Sequence, residues 1–487
     1  MAVLTNIVAS SAVLYLAQWV IYAFFLSPVR HVPGPWWARL SKLPLLRATF
    51  QRRRSKYASD LLAKYGPIVV IAPNQVHTND DEAMKVIYSR KALKTPFYAG
   101  MGSWKGVTST LGFVDYASAA PTRNNLIQCF QNKNLVTLVE NISSHVSEFC
   151  EMLRRKGQSG EDVDGVVQFR LLALDIVTDV LWGEKETMLS SSSNETPAFL
   201  RRFHAFSTYN AMKSFLPGFD AYTKYLGSAK WRQLRQDCSD MDITAKDALL
   251  RWQEEGDHRD KDVLSMLISM DEAVDERKRV PKDHIPAYMV EMLAAGSSTT
   301  SHTATFTCFE LSRHPEVQTK LRKELENKYP NADQINEKAL MDLPFLDAVL
   351  RETMRLMPMI PGPLERYLVD PITVGRLEIP PGVVASTAAY DQGRLPSVFP
   401  DPNTWSPDRW LNATDEMHLN WTPFGYGSRS CPGSNLAMTE LKYMLGIILR
   451  RFRVEPPEQH KVQPLDLGDV FVSGERSGQC WLRFVEG

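Results

Sequence analysis

The chain has 487 residues, 44% hydrophobic and 23% charged, with 56 Lys plus Arg matched by 56 Asp plus Glu. That is an ordinary globular composition, and zero net charge without a basic excess argues against a nucleic-acid partner. The six cysteines, Cys129, Cys150, Cys238, Cys308, Cys431 and Cys480, are scattered mostly through apolar runs; this fits reduced thiols better than a disulfide framework, and no zinc-type spacing of Cys and His occurs.

Ile7 to Leu26 is a mainly apolar run, about 20 residues long, the length that crosses a hydrocarbon core of about 30 Å. No Lys or Arg precedes it, whereas Arg30, Arg39, Lys42, Arg47 and Arg52 to Arg54 follow. The positive-inside rule then expects residues 1–27 to be a single-pass anchor, with the bulk of the chain on the cytosolic side. The rival, a cleaved signal peptide, lacks its basic start and small-residue cleavage site. On the anchor reading the Asn-x-Ser/Thr sites at Asn141, Asn194 and Asn412 stay bare. Pro33-Gly34-Pro35 centres an expected stiff, extended hinge over 28–48. Residues 49–487 then read as one unit.

Helical apolar spacing runs through Leu135–Leu153, Leu171–Trp182, Phe345–Met357 and Leu436–Phe452. Strand-like runs are short: Ile68–Ile71, Val369–Ile379, and the C-terminal stretch with Val470, Val472 and Trp481–Phe484. Gly157–Gly165, Ser190–Ser193 and Asp257–Asp262 read as polar connectors. The fold class is therefore mainly α with small β-sheets. A long central helix is expected between Pro286 and Pro315, about 28 residues or roughly 42 Å. It contains Ala295-Gly296-Ser297-Ser298-Thr299-Thr300. Further on, Glu352 and Arg355 share one helix face and can pair.

The densest signal is Phe424-Gly425-Tyr426-Gly427-Ser428-Arg429-Ser430-Cys431-Pro432-Gly433. Its glycines permit tight or left-handed backbone. Cys431 sits just before a helix start, where free amides and the dipole favour an anion and lower a thiol pKa. A thiolate is what a metal takes from cysteine. This Phe-x-x-Gly-x-Arg-x-Cys-x-Gly loop resembles the haem-binding loop of the cytochrome P-450 family.

The resemblance implies that fold, with haem between the long central helix and the cysteine loop, and Cys431 as axial ligand to iron. It implies that Phe424 packs near the sulfur and Gly433 borders the cofactor. Arg429 and Arg366 would pair with haem propionates, as would Arg123, whose family partner position holds Ala119 rather than an aromatic residue. Glu352, Arg355 and Arg409 of Pro407-Asp-Arg409-Trp410 would form a buried structural network. In the central helix Gly296 would let backbone approach oxygen, and Thr299 would hydrogen-bond it. Ser298 stands where the family usually has an acid; serine can relay a proton but cannot hold charge at neutral pH. Glu291, about 10 Å earlier on nearly the same face, is a candidate start for a water chain.

The function implied is a monooxygenase that oxidises, by hydroxylation, a lipophilic small molecule of secondary metabolism. It would use O2 and electrons from NADPH through a haemoprotein reductase, at the endoplasmic reticulum membrane. Phe97–Val107 and Phe203–Tyr225 resemble the loop and lid over the substrate pocket. Two rivals remain: a reductase-independent isomerase or dehydratase acting on a peroxide, which Ser298 keeps open, and a non-enzymatic haem sensor.

Overall fold

The computed structural model describes residues 2–183 except 105, 198–255 except 217, 262–271, 279–331, 340–460 and 465–487. The Ser190–Ser193 tract, Asn194 and residues 257–261 lie outside the described residues.

Helix α1 (Ala2–Ile21) runs into a π-helical turn over Tyr22–Leu26 and is exposed along most of its described length. Leu4–Leu26 has a mean hydropathy of 1.7 and is long and apolar enough to cross a membrane. The segment expected as an extended hinge is instead folded onto the body. Only Pro33–Pro35 is extended; α2 (Trp36–Leu40) and α3 (Leu43–Phe50) follow at once. Val29 and Val32 are buried, and the Pro33 carbonyl accepts from the Val70 amide at 2.9 Å. Arg39 holds the turn by donating to the carbonyls of Val29, Arg30 and Val32. Burying two valines outweighs the stiffness of two prolines. Gly34 makes the approach feasible, because a Cβ there would lie 3.0 Å from the Val70 carbonyl oxygen.

After α4 (Arg54–Tyr65) come β1 (Ile68–Ala72) and β2 (Gln75–Thr78), then α5 (Asp81–Ile87), β3 (Leu93–Lys94) and α6 (Pro96–Gly102). A small hairpin, β4 (Ser103–Trp104) and β5 (Val107–Thr108), leads to α7 (Tyr116–Cys129), capped by Asp115, and α8 (Asn132–Gln158). Gly157 is therefore helical rather than part of a connector. Strand β6 (Val163–Asp164) precedes α9 (Gly165–Trp182), where Asp164 accepts from the Val166 amide as cap. Helices α10 (Ala198–Phe215), α11 (Phe219–Tyr225), α12 (Ala229–Glu255) and α13 (Val263–Asp271) lead to the central helix α14 (Ile285–Arg313). Its 29 residues start with Pro286 in the first turn, as the sequence predicts.

The C-terminal part contains α15 (Pro315–Lys328), α16 (Pro344–Leu356), β7 (Leu364–Tyr367), the hairpin β8 (Ile372–Val374) and β9 (Leu377–Ile379), and β10 (Val384–Thr387). Then come α17 (Ala389–Gln392), α18 (Asp415–Asn420), α19 (Ser434–Arg451), β11 (Phe452–Glu455), β12 (Leu467–Asp469), β13 (Ser473–Glu475) and β14 (Trp481–Glu486). The main sheet runs β1-β2-β10-β7-β3, with β2 and β10 parallel and the other pairs antiparallel. One large apolar core joins α8, α9, α14, α16 and α19. The site lies among three elements: α14, the start of α19, and the paired strands β3 and β7.

Candidate active site

The loop before α19 turns tightly. Gly425 and Gly427 have φ of 76° and 61°, the left-handed region that a side chain would strain. Gly433 has an ordinary φ of −91° as the cap of α19, so of these three glycines it alone is not left-handed. A Cβ at Gly433 would meet nothing within 4 Å, which leaves room for a flat ring system beside the loop. The Cys431 amide donates to the Phe424 carbonyl at 2.7 Å, so Phe424 is tied to the cysteine through its backbone. Cys431 is the exposed one of six cysteines; the other five are buried. Burial pushes the thiols of Cys129, Cys150 and Cys480 up to about 12.

The Cys431 sulfur keeps an open side, but the protein packed around the rest of it partly desolvates the thiol and raises its pKa. The Gly433 amide and Arg123 pull in the other direction, while the Glu291 charge adds to the rise. The helix start thus acts as the sequence suggests, but burial outweighs it. A thiolate is stable here when a cation bonds the sulfur, as a metal does.

Four cations converge beside this loop. Arg123 donates to Ser430 Oγ at 3.4 Å, Arg429 to the Ala92 carbonyl at 2.7 Å, and Arg366 to the Glu365 carbonyl at 2.7 Å. The fourth, Lys94, donates to the carbonyls of Thr110 and Leu111. Burial, then Arg366, Arg429 and Arg123, push Lys94 down to about 7 despite the opposing pull of Glu291. Burial and Arg366 press Arg429 down to about 10. The buried Nε atoms of Arg366 and Arg429 have no partner. So dense a set of cations, with Lys94 and Arg366 buried and Arg123 and Arg429 half-buried, calls for anions, and the carboxylates of haem would supply them. Sequence reading missed Lys94 because a lone lysine in a two-residue strand carries no motif.

On α14, Thr299 donates to the Ala295 carbonyl at 2.7 Å, and Ser298 receives on its carbonyl a 2.6 Å bond from His302 Nδ1. Gly296 corrects its expectation: a Cβ there would meet Val177 Cγ2 of α9 at 3.3 Å, so the glycine serves helix packing. Glu291 is no free acid at the head of a water chain. Its carboxylate accepts from Ser109, Thr110 and Leu111, at 2.8 Å from the Ser109 hydroxyl and 2.8 Å from the Leu111 amide.

A family model described as Cytochrome P450 matches residues 32–480. The chain belongs to the cytochrome P450 family. It is 27% identical over 459 residues to cytochrome P450 monooxygenase ABA2 of Pyricularia oryzae, covering 89% of this chain and 86% of that protein. It is 27% identical over 466 residues to cytochrome P450 monooxygenase aflU of Aspergillus parasiticus, covering 90% and 89%. A third relative, cytochrome P450 monooxygenase FUP2 of Fusarium proliferatum, is 25% identical over 475 residues, covering 92% and 89%. The chain is thus a cytochrome P450 monooxygenase, an oxidoreductase whose cofactor is haem with cysteine as axial ligand.

The rest of the P450 framework surrounds that site. Glu352 binds Arg355 at 2.8 Å and Arg409 at 3.0 Å, and its two oxygens also accept from the Ser406 amide and Trp410 Nε1. Trp421, T-shaped to Phe424 with ring centroids 5.9 Å apart, donates to the Arg351 carbonyl. Above, Phe97 of α6 meets Phe215 of α10 at 4.8 Å and Phe471 at 5.6 Å. These rings bring together the two segments that the sequence reading assigned to loop and lid. Arg54, 2% exposed, closes this aromatic group and pairs with Glu365 at 3.1 Å.

Proposed function

We propose that this P450 hydroxylates a lipophilic small molecule of fungal secondary metabolism, drawing electrons from NADPH through a membrane-bound reductase. The observation that carries the reading is the pairing of one exposed thiol, Cys431, with Arg366 and Arg429, whose buried Nε atoms have no partner. Cys431 would ligate the haem iron, and Arg123, Arg429, Arg366 and Lys94 would hold the haem carboxylates. Haem, when bound, supplies activation of O2.

The protein's part is positioning and proton supply. Phe97, Phe215, Phe471 and their apolar neighbours exclude water and favour an apolar substrate. The Thr299 hydroxyl, held by the Ala295 carbonyl, and the Ser298 hydroxyl lie on the oxygen-facing stretch of α14 and orient water there. Glu291 and Lys94 fix the loop that closes the pocket. Helix α1, followed by the exposed Trp36, Trp37, Leu43 and Phe50, anchors the enzyme at the endoplasmic reticulum with the body in the cytosol. Residues 1–27 are the anchor, 28–48 a packed neck, and 49–487 the catalytic domain.

The test is incubation of the anchored holoenzyme with reductase, NADPH, O2 and a fungal metabolite extract. A hydroxylated product that needs all three components supports the reading. Product formed without reductase and NADPH would instead establish the isomerase or dehydratase, and haem binding with no product on any extract the sensor.

A further inference from the structure

A second cavity, with a volume of about 910 Å³, lies where neither Cys431 nor the four cations beside it contribute to the lining. Its walls are the chain entering α4, the end of α14, the segments that follow α16 and α17, and the β12–β13 hairpin. The volume is in the range of small-molecule sites, roughly 300–1,000 Å³, but such sites are mostly apolar and this one is not. Six cations line it, Arg52, Arg53, Lys56, Arg313, Arg394 and Arg476, against three acids, Glu310, Asp466 and Asp469.

The acids are taken up within the protein. Asp469 accepts from the Ser55 amide and hydroxyl, at 3.0 and 2.7 Å. Asp466 pairs with Arg476 at 3.3 Å, and Glu310 with His314 at 3.5 Å. The cations are not taken up in the same way. Arg53 and Lys56 are exposed, and among the described residues their side chains meet no carboxylate; Arg313 covers only the Phe309 ring, 5.4 Å from its centroid. Arg394 is half-buried and donates to the Leu356 and Tyr390 carbonyls, and among the described residues no ion pair holds it. Desolvation lowers its pKa. A cation that is partly desolvated and bonded only to neutral carbonyls lacks its counter-charge.

The backbone is strained at the same wall. Arg52 has a φ of 55°, in the left-handed region. It is held there by the hairpin: its guanidinium donates to the Gly474 carbonyl at 3.2 Å, and its own carbonyl accepts from the Asp469 amide and from Arg476 Nη2. Strain of this kind persists where the surroundings over-determine it, and it clusters at ligand clamps.

We propose that this cavity binds a phosphate group carrying two or more negative charges, with Arg53, Lys56, Arg313 and Arg394 as its donors. These four reach the cavity from three separate parts of the chain. A tetrahedral phosphate offers oxygens in several directions, whereas a carboxylate offers one planar pair, and the guanidinium fork suits phosphate. Two carriers present that group, a soluble organic phosphate and a phosphomonoester lipid headgroup. A bound phosphate ties the β12–β13 hairpin to α4 and α14, and Phe471 in the turn of that hairpin packs on Phe97. The proposal does not depend on which reaction the haem site performs.

The test is calorimetric titration of full-length holoenzyme, in phosphatidylcholine nanodiscs at fixed ionic strength, with pyrophosphate as probe. Saturable binding at one site should appear. Arg53→Glu, Lys56→Glu and Arg313→Gln should each weaken it about tenfold or more, the scale of one charge-assisted hydrogen bond. Lys230→Glu should not, because Lys230 is equally exposed but does not line the cavity. Pyrophosphate should also slow hydrogen exchange across residues 465–476. Repeating the titration with phosphatidic acid in the disc separates the two carriers: lost pyrophosphate binding assigns the lipid headgroup, and retained binding the soluble phosphate.

The absence of saturable binding to the wild-type protein overturns the proposal. So does an equal loss in Lys230→Glu, which would mean a diffuse surface field, or binding that leaves exchange across 465–476 unchanged, which would place the phosphate elsewhere. Each substituted residue is exposed, and the melting temperature without pyrophosphate verifies that each variant is folded.

Discussion

The carboxylate of Glu291 accepts both the amide of Thr110, at 3.2 Å, and its hydroxyl, at 2.9 Å. With Ser109 and Leu111 added, one acid on the central helix secures the whole turn beyond the β4–β5 hairpin. Hydrogen bonds to a charged group contribute about 1.5–3 kcal/mol each, so their loss frees the loop rather than the fold. Glu291→Ala should speed hydrogen exchange at the Thr110 and Leu111 amides at least tenfold while the thiolate-type spectrum persists. Unaltered exchange at both amides would refute the clamp.

The Glu352–Arg355–Arg409 cluster makes the opposite prediction. Arg355 also donates to the carbonyls of Gly393, Pro402 and Thr404, so it holds the chain leading to the cysteine loop. Glu352→Gln leaves two arginines without their anion and should cost about 3–5 kcal/mol in unfolding free energy. Arg355→Lys should not rescue, because lysine lacks the planar fork that meets both oxygens. Denaturant titration checks both.

Cys431→Ala should abolish the thiolate-type spectrum, and Cys480→Ala should keep it. Cys480 is buried against Asp164 with its thiol pushed up to about 12. Retention of the spectrum in Cys431→Ala would sink the ligand assignment.

Glu440 gives a pH signature. Its folded pKa, about 8, lies above the ordinary 4.5 of glutamate. The folded state therefore holds a proton that the unfolded state has lost, and stability falls as pH rises across that window, by up to about 1.4 kcal/mol per pH unit. Glu440→Gln removes this slope. The melting temperature of the variant minus that of wild type should grow from pH 5 to pH 8 and then level off. A constant difference would mean that the carboxyl is not protonated in the fold.

Much of this was legible in the sequence where a residue's job is local. The cysteine loop, the Pro286 start of α14 and the periodicity of α8, α9, α16 and α19 depend on neighbours in the chain. The sheet was harder: β2 pairs with β10 across some three hundred positions, and neither strand has a distinctive pattern. Gly296 was misread because composition shows that close approach is needed but not to what. Glu291 and Lys94 act on a loop whose position depends on tertiary structure, and Glu440 looks like any helical glutamate until its surroundings are known.

Truncation separates α1 from the body. Removing residues 1–21 should leave folding and the thiolate-type spectrum intact, because α1 is exposed. Removing residues 1–35 should not, because it takes away the buried Val29 and Val32 and the Pro33 bond to Val70. Expression yield and melting temperature of the two forms provide the comparison.

The way α1 meets the body has a mechanical consequence. Asn74 grips Tyr22 and Ser27 at 2.9 Å each, and Trp19 donates to the Leu40 carbonyl. These three bonds tie the end of the helix to the globule and restrain its rotation. With α1 in a bilayer, its tilt is passed rigidly to the globule, and the immersion depth of Trp36 and Leu43 follows from helix length alone. One residue inserted in α1 would turn the globule about 100° and lift it about 1.5 Å, swinging any opening toward lipid out of line.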